Sequence, residues 1–166
     1  LSFREALDSA NDAESIKAVA RSVVDGGFPL SDLRVCLLEP ELRAKASTVL
    51  ERACRVKPGL AAGASFEILL LADSGLSWLP RMNACRLIPL VTWDAVSYER
   101  VLSFLFGEVE RNEGFVAAWA LDALARLAVA DESIRGRVRY LLEEAEMTGS
   151  PSVRARARKA SKRLTS

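Results

Sequence analysis

The sequence predicts an all-α fold: an α-α superhelix of about five antiparallel helical hairpins, forming a single helical-repeat domain over residues 1–166. Three observations carry that prediction. Apolar residues recur with helical period in almost every segment, and no segment shows the sustained alternation of a strand. The breaks between segments are only two to six residues long, which forces consecutive helices to lie antiparallel. Three of the segments also repeat one pattern at multiples of 37 residues. Half of the chain is hydrophobic and 27% is charged, which suits a packed core rather than disorder.

The elements follow in order. Helices are expected over 2–9 and 13–25, the second with Ile16, Ala20 and Val24 at a spacing of four. "DGGFPLS" at 25–31 stops it, since Gly and Pro end helical runs. Helices over 31–38 and 41–56 follow, closed by "KPG" at 57–59, and a helix over 60–73 is closed by "DSG". Next comes 79–90, then 94–111, which Asp94 can begin as a cap or first-turn charge and which "NEG" ends. The most apolar run, "GFVAAWALDALARLAVA", predicts a helix over 114–129 buried on most sides. It contains Asp122 and Arg126 and is short of a membrane span, so no membrane partner is expected. Asp131 offers an acceptor to the helix over 132–147. Ser150 before Pro151 opens the last, 151–164.

The repeat lies in "EPELRAKASTVLERA" (39–53), "EGFVAAWALDALARL" (113–127) and "SPSVRARARKASKRL" (150–164). Each has Pro or Gly second, an aliphatic residue fourth, and Ala sixth and eighth; the first two have Leu twelfth. A degenerate copy near residue 76 has Leu79 and Leu87 in place, with Asn83 where Ala belongs. This pattern resembles HEAT-type helical repeats from about residue 31 onward. The period is slightly under their usual length of roughly 40 residues, and the Arg of the pattern stands only at Arg43 and Arg154. Small central residues let paired helices approach closely, and on this register Ala46, Ala120 and Ala157 are equivalent inward positions. The basic segment 150–164 then reads as a capping helix, with Val153, Ala157, Ala160 and Leu164 as its apolar stripe.

Composition excludes several chemistries. No histidine is present, which removes Ser-His-Asp and Cys-His catalysis and histidine metal ligands. Cys36, Cys54 and Cys85 lack metal-ligand spacing and read as buried thiols of a reducing, cytoplasmic setting, with no metal and no cofactor expected. Leu1 begins a polar helix rather than a charged-then-apolar leader. Acidic clusters in "VERNEG" and "LLEEAEM" read as solvated faces, the second with Glu143, Glu144 and Glu146 opposed by Arg135, Arg137 and Arg139.

By analogy with HEAT-type repeats, the pattern-bearing helices line a concave face. Its non-core positions would be Ser47, Thr48, Glu51 and Arg55, then Leu121, Asp122 and Arg126, then Arg158, Lys159 and Lys162. With Arg154, the charged members form the candidate binding surface: Glu51, Arg55, Asp122, Arg126, Arg154, Arg158, Lys159 and Lys162. Asp122 and Arg126, four apart, can pair on the helix surface. "TWDAVSYERVLSFL" (92–105) is similar to the Trp-Asp stretch of DNA alkylation-repair glycosylases, which are built from HEAT-like repeats, through Trp93, Asp94 and Val96. Ser97 stands where a second carboxylate is expected and Ala118 where an Arg would sit, so the resemblance implies a relative without the catalytic residues. Trp78 and Trp119 read as packing residues. The expected function is a non-catalytic scaffold presenting a concave helical surface to a protein partner. The alternative is a nucleic-acid-backbone binder acting through the basic C-terminal helix.

Overall fold

The punctuation of the sequence becomes a series of capped helix starts and short reversals. The computed structural model describes residues 1–165, which hold eleven α-helices and no strand. By its contacts the chain divides into two compact units, Leu1–Thr92 and Trp93–Ser166.

The first unit contains α1 (Phe3–Ser9), α2 (Ala13–Val24), α3 (Leu30–Leu38), α4 (Pro40–Val56), α5 (Leu60–Gly63), α6 (Ser65–Leu71) and α7 (Trp78–Leu87). Ser2 and Glu5 close a capping box on α1, and Asp12 and Ser15 do the same on α2, satisfying amides that have no partner inside the helix. Consecutive helices pack as α1 on α2, α3 on α4 and α6 on α7. Across these pairs, α1, α3 and α6 make one row of neighbours and α2, α4 and α7 another. Helix α4 lies at the centre, with Leu42, Ala46, Val49, Leu50 and Ala53 buried.

The second unit contains α8 (Ala95–Arg111), α9 (Gly114–Ala130), α10 (Glu132–Thr148) and α11 (Pro151–Thr165). Helix α9 packs on all three others, which is why its sequence is apolar all round rather than along one stripe. The reversal before it needs left-handed backbone twice. Asn112 (φ 52°) and Gly114 (φ 43°) supply it, both residue types that tolerate this region. Among the pattern positions, Leu42, Val116 and Val153 at the fourth place and Ala46, Ala120 and Ala157 at the eighth are all buried, as are Leu50 and Leu124 at the twelfth. In α11, Val153, Ala157 and Ala160 are buried and Leu164 is half-buried.

Two expected helices are broken. The segment 60–73 divides at Ala64 (φ −109°, ψ 16°), whose amide bonds back to Ala61 three residues earlier, and α6 ends at Leu71. The segment 79–90 is α-helical only to Leu87 and finishes as a 3-10 turn over Ile88–Leu90, where Pro89 has no amide to continue the α-helical ladder.

A recurrent arginine joins successive helices. Arg43, the fourth residue of α4, donates to the carbonyls of Leu37 (2.8 Å) and Leu38 (3.2 Å) at the end of α3. Arg135, the fourth residue of α10, donates to Ala128 (3.1 Å) and Val129 (3.0 Å) near the end of α9. Arg81, the fourth of α7, donates to Leu76 (2.9 Å) in the turn before its helix. The last carbonyls of a helix lack intrahelical donors and carry partial negative charge, so a guanidinium there satisfies both needs. This is the physical role of the Arg in the repeat pattern at Arg43. Arg154 holds the same place in α11 but makes no such bond to a described residue.

Two expectations follow. Ala120→Leu overpacks a position with no exposed surface and should destabilise by about 1–3 kcal/mol, read as a lower urea midpoint at unchanged slope. Arg43→Met should cost roughly 1 kcal/mol by stripping two carbonyls of their donor, read the same way.

Candidate functional site

Each central helix carries one carboxylate held by two arginines. In the first unit Glu51 of α4 is only 6% exposed. Its Oε1 accepts from Arg55 Nε (3.1 Å) and Nη2 (2.5 Å) one turn along, and Arg86 Nε of α7 lies 3.4 Å away. In the second unit Asp122 of α9 is 2% exposed. Its Oδ2 accepts from Arg126 Nε at 2.9 Å, and Arg163 Nη2 of α11 lies 3.7 Å from Oδ1. The device is the same in both: a buried carboxylate, an arginine four residues on, and a second arginine from a neighbouring helix. A carboxylate so placed is tied down structurally by its guanidinium partners.

The face expected to be open is partly closed. Ser47, Glu51, Leu121 and Asp122 are buried, whereas Arg55 and Arg126 reach solvent. The reason is that α4 and α9 are covered on more than one side, so positions beside the alanine stripe also meet a neighbour. Asn83 shows this from the other partner. Its Nδ2 donates to Ser47 Oγ (3.0 Å) and Thr48 Oγ1 (3.3 Å), which accounts for a polar residue where the repeat has Ala.

Beside Arg55, helices α2 and α4 enclose a groove of about 340 Å³. Its charged lining is Glu14, Lys17, Arg21, Arg52 and Arg55, and Ala13, Ala20 and Val56 complete the walls. Arg52 is fixed by donating Nη1 to the Ala13 carbonyl at 2.8 Å, and Arg55 is fixed by Glu51. Lys17 and Arg21 are exposed, one turn apart on α2, and have no acidic partner among the described residues. Sequence reading did not single out Lys17, Arg21 or Arg52. Their spacing is that of any solvated helix face, and only the packing of α2 on α4 gathers them.

On α11, Arg158, Lys159 and Lys162 are exposed and Arg154 is half-buried, and none has an acidic partner among the described residues. Arg154, Arg158 and Lys162 recur every four residues and so form one ridge. The opposite side of α11 is engaged: Arg156 lies over the Trp119 ring at 3.9 Å, and Arg163 faces Asp122. Trp119 is only partly exposed, with Arg156 over its ring, and Trp78 is exposed.

Among the described residues, Glu143, Glu144 and Glu146 do not pair with Arg135, Arg137 and Arg139. Arg135 and Arg137 face Glu132 (3.6 Å) and Glu110 (3.8 Å), Arg139 donates to the Leu164 carbonyl, and Glu146 accepts from Ser161. A second cleft of about 280 Å³ in this unit is flanked by Glu110 and Glu144 over Leu121, Leu141 and Val153.

The Trp-Asp stretch is a helix start. Asp94 is the N-cap of α8, exposed, with the Ser97 amide (2.9 Å) and hydroxyl (2.9 Å) holding its carboxyl below the usual range. Ser97, standing where a second carboxylate was sought, completes this cap. One turn on, Tyr98 donates to Asp131 at 2.5 Å, and burial with that bond pushes its phenol up. No helix is long and apolar enough to cross a membrane, and no group of three or more metal-ligating side chains occurs among the described residues.

No protein-family model, curated protein or solved structure matches the chain.

Cys36, Cys54 and Cys85 are buried on α3, α4 and α7, and none is in a disulfide. Burial pushes the Cys54 thiol up to about 12, with Glu51 adding to it, so at pH 8 it is protonated and shielded. A colorimetric disulfide reagent at pH 8 should therefore react with the cysteines only after denaturant is added. Fast reaction of the native protein would place a thiol at the surface.

Proposed function

We propose that the chain is a non-catalytic HEAT-like scaffold, an α-α superhelix that presents a concave helical surface to a protein partner in the cytoplasm. The observation that carries this reading is the groove between α2 and α4. It lies between adjacent helices of one row and has apolar walls, with two arginines already fixed in place and two further cations that make no ion pair among the described residues. Ordered charged groups over apolar surface suit recognition, since little freedom is lost when a partner docks. The buried carboxylates Glu51 and Asp122 are engaged by arginines, which supports a binding role over acid-base chemistry.

A second reading has its own observation. The ridge of Arg154, Arg158 and Lys162 with Lys159 has no acidic partners among the described residues, which favours a nucleic-acid-backbone binder. The Asp94 cap supports neither a glycosylase nor a base-binding cleft.

One experiment separates the readings. A photo-crosslinking residue is placed at Val56, at the groove, or at Lys159, on the α11 ridge, and the protein is irradiated in extract of its native cells. A discrete protein adduct is expected at position 56, with no nuclease-sensitive adduct at 159. Nuclease-sensitive adducts at 159 with none at 56 would overturn the scaffold in favour of the second reading.

A further inference from the structure

We infer that the α2–α4 groove takes an acidic peptide segment of about four residues, a reading that rests on the scaffold function and names the chemistry of the partner. Charge is the first argument. The groove is lined by four cations, Lys17, Arg21, Arg52 and Arg55, against the single carboxylate of Glu14. Glu51 offsets Arg55 from below but is itself buried and shared with Arg86. Lys17 and Arg21 line the groove, are exposed and make no ion pair among the described residues, which leaves the cations in excess over Glu14.

Size is the second argument. The lining runs along α2 from Ala13 to Ala20 and Arg21, about 12 Å at a rise of 1.5 Å per residue. An extended peptide covers that length in about four residues at ~3.3 Å each. Side chains on alternate sides then place two in the groove and two at its rim, where long cations can reach carboxylates. Arginine already held at Ala13 and Glu51 meets a carboxylate without first being ordered.

The walls supply the third argument, because they choose peptide over nucleic acid. Ala13, Ala20 and Val56 are aliphatic, and Val56 is 70% exposed. They suit a small apolar side chain between the acids. No aromatic ring lines the groove to stack a base, and Glu14 at one end opposes the evenly repeated charge of a phosphate backbone. A volume of about 340 Å³ admits side chains and not a duplex.

The test uses the full chain and a fluorescein-labelled hexapeptide of sequence Glu-Asp-Leu-Glu-Asp-Leu, followed by anisotropy. Binding is expected that weakens as salt is raised, as exposed charge pairs require. The same peptide with Gln and Asn replacing its acids should not bind. Lys17→Glu with Arg21→Glu should lower affinity roughly tenfold or more, while Arg158→Glu with Lys159→Glu leaves it unchanged. All four positions are exposed, and circular dichroism confirms that both variants remain folded. Absent binding, or binding indifferent to the groove variant, would overturn the inference. So would a labelled single-stranded oligonucleotide that binds more tightly than the peptide and is lost with the same variant. A protein adduct persisting at position 56 while the peptide fails to bind removes this inference alone. No adduct and no peptide binding removes the scaffold reading with it.

Discussion

Close approach between helices, set by alanine at the packing positions, is the constraint on which each unit depends. Ala46 in α4, and Ala120 and Ala157 in α9 and α11, have no exposed surface. A side chain of one carbon lets a neighbouring helix settle near, and the larger residues at the flanking positions then interlock around it. In the first unit this lets α4 touch α2, α3 and α7 at once; in the second it lets α9 touch α8, α10 and α11. A helix so enclosed has little solvent face left. A buried polar group on it needs a protein partner, because an unpaired one costs about 1–3 kcal/mol; Asp122 Oδ1 has only the Arg163 guanidinium at 3.7 Å and no hydrogen bond among the described residues.

The buried carboxylates follow from that enclosure. Glu51 and Asp122 stand on the central helices, and each draws one arginine from its own helix and one from a neighbour. Desolvation of the buried carboxylate offsets much of the attraction, while Arg55 and Arg126 keep contact with solvent, so these groups add little net stability over an apolar pair. Their effect is on register. Sliding α7 along α4 by a turn would separate Arg86 from Glu51, and sliding α11 along α9 would separate Arg163 from Asp122. Arg43, Arg81 and Arg135 act on the other degree of freedom, holding the start of one helix against the end of the element before it.

Helix content and boundaries were legible because they are local. A 3.6-residue period, Gly and Pro at the breaks, and acceptors such as Asp12, Asp94 and Asp131 act within a few residues of chain. The break at Ala64 was not read from the sequence, because Ala64 is itself a strong helix former, although Gly63 just before it weakens a helix. Burial of polar groups was not legible either. Glu51 and Asp122 look like surface charges beside an apolar stripe until a second helix covers them. Asn83 looked like a degenerate alanine until Ser47 and Thr48 were seen opposite it. Of the candidate residues read from the sequence, Arg55 borders the α2–α4 groove, whereas Lys17, Arg21 and Arg52 line it only because two helices apart in sequence pack side by side.

Overall charge is a poor guide to such a site, since 23 basic residues against 22 acidic ones leave almost nothing net. What matters is which cations are already occupied and what surrounds the rest. The four cations of α11 without an acidic partner among the described residues stand on a ridge, where water and salt reach Arg158, Lys159 and Lys162 and screen any attraction beyond about 10 Å at ordinary ionic strength. Lys17 and Arg21 stand at the mouth of a groove whose walls are alanine and valine, a setting of lower polarizability that concentrates the field between the two helices. Fewer free charges there can attract an anion more strongly than a longer row in open solvent. The fixed guanidinium groups of Arg52 and Arg55 then determine which anion fits, by requiring acceptors at the places they already point.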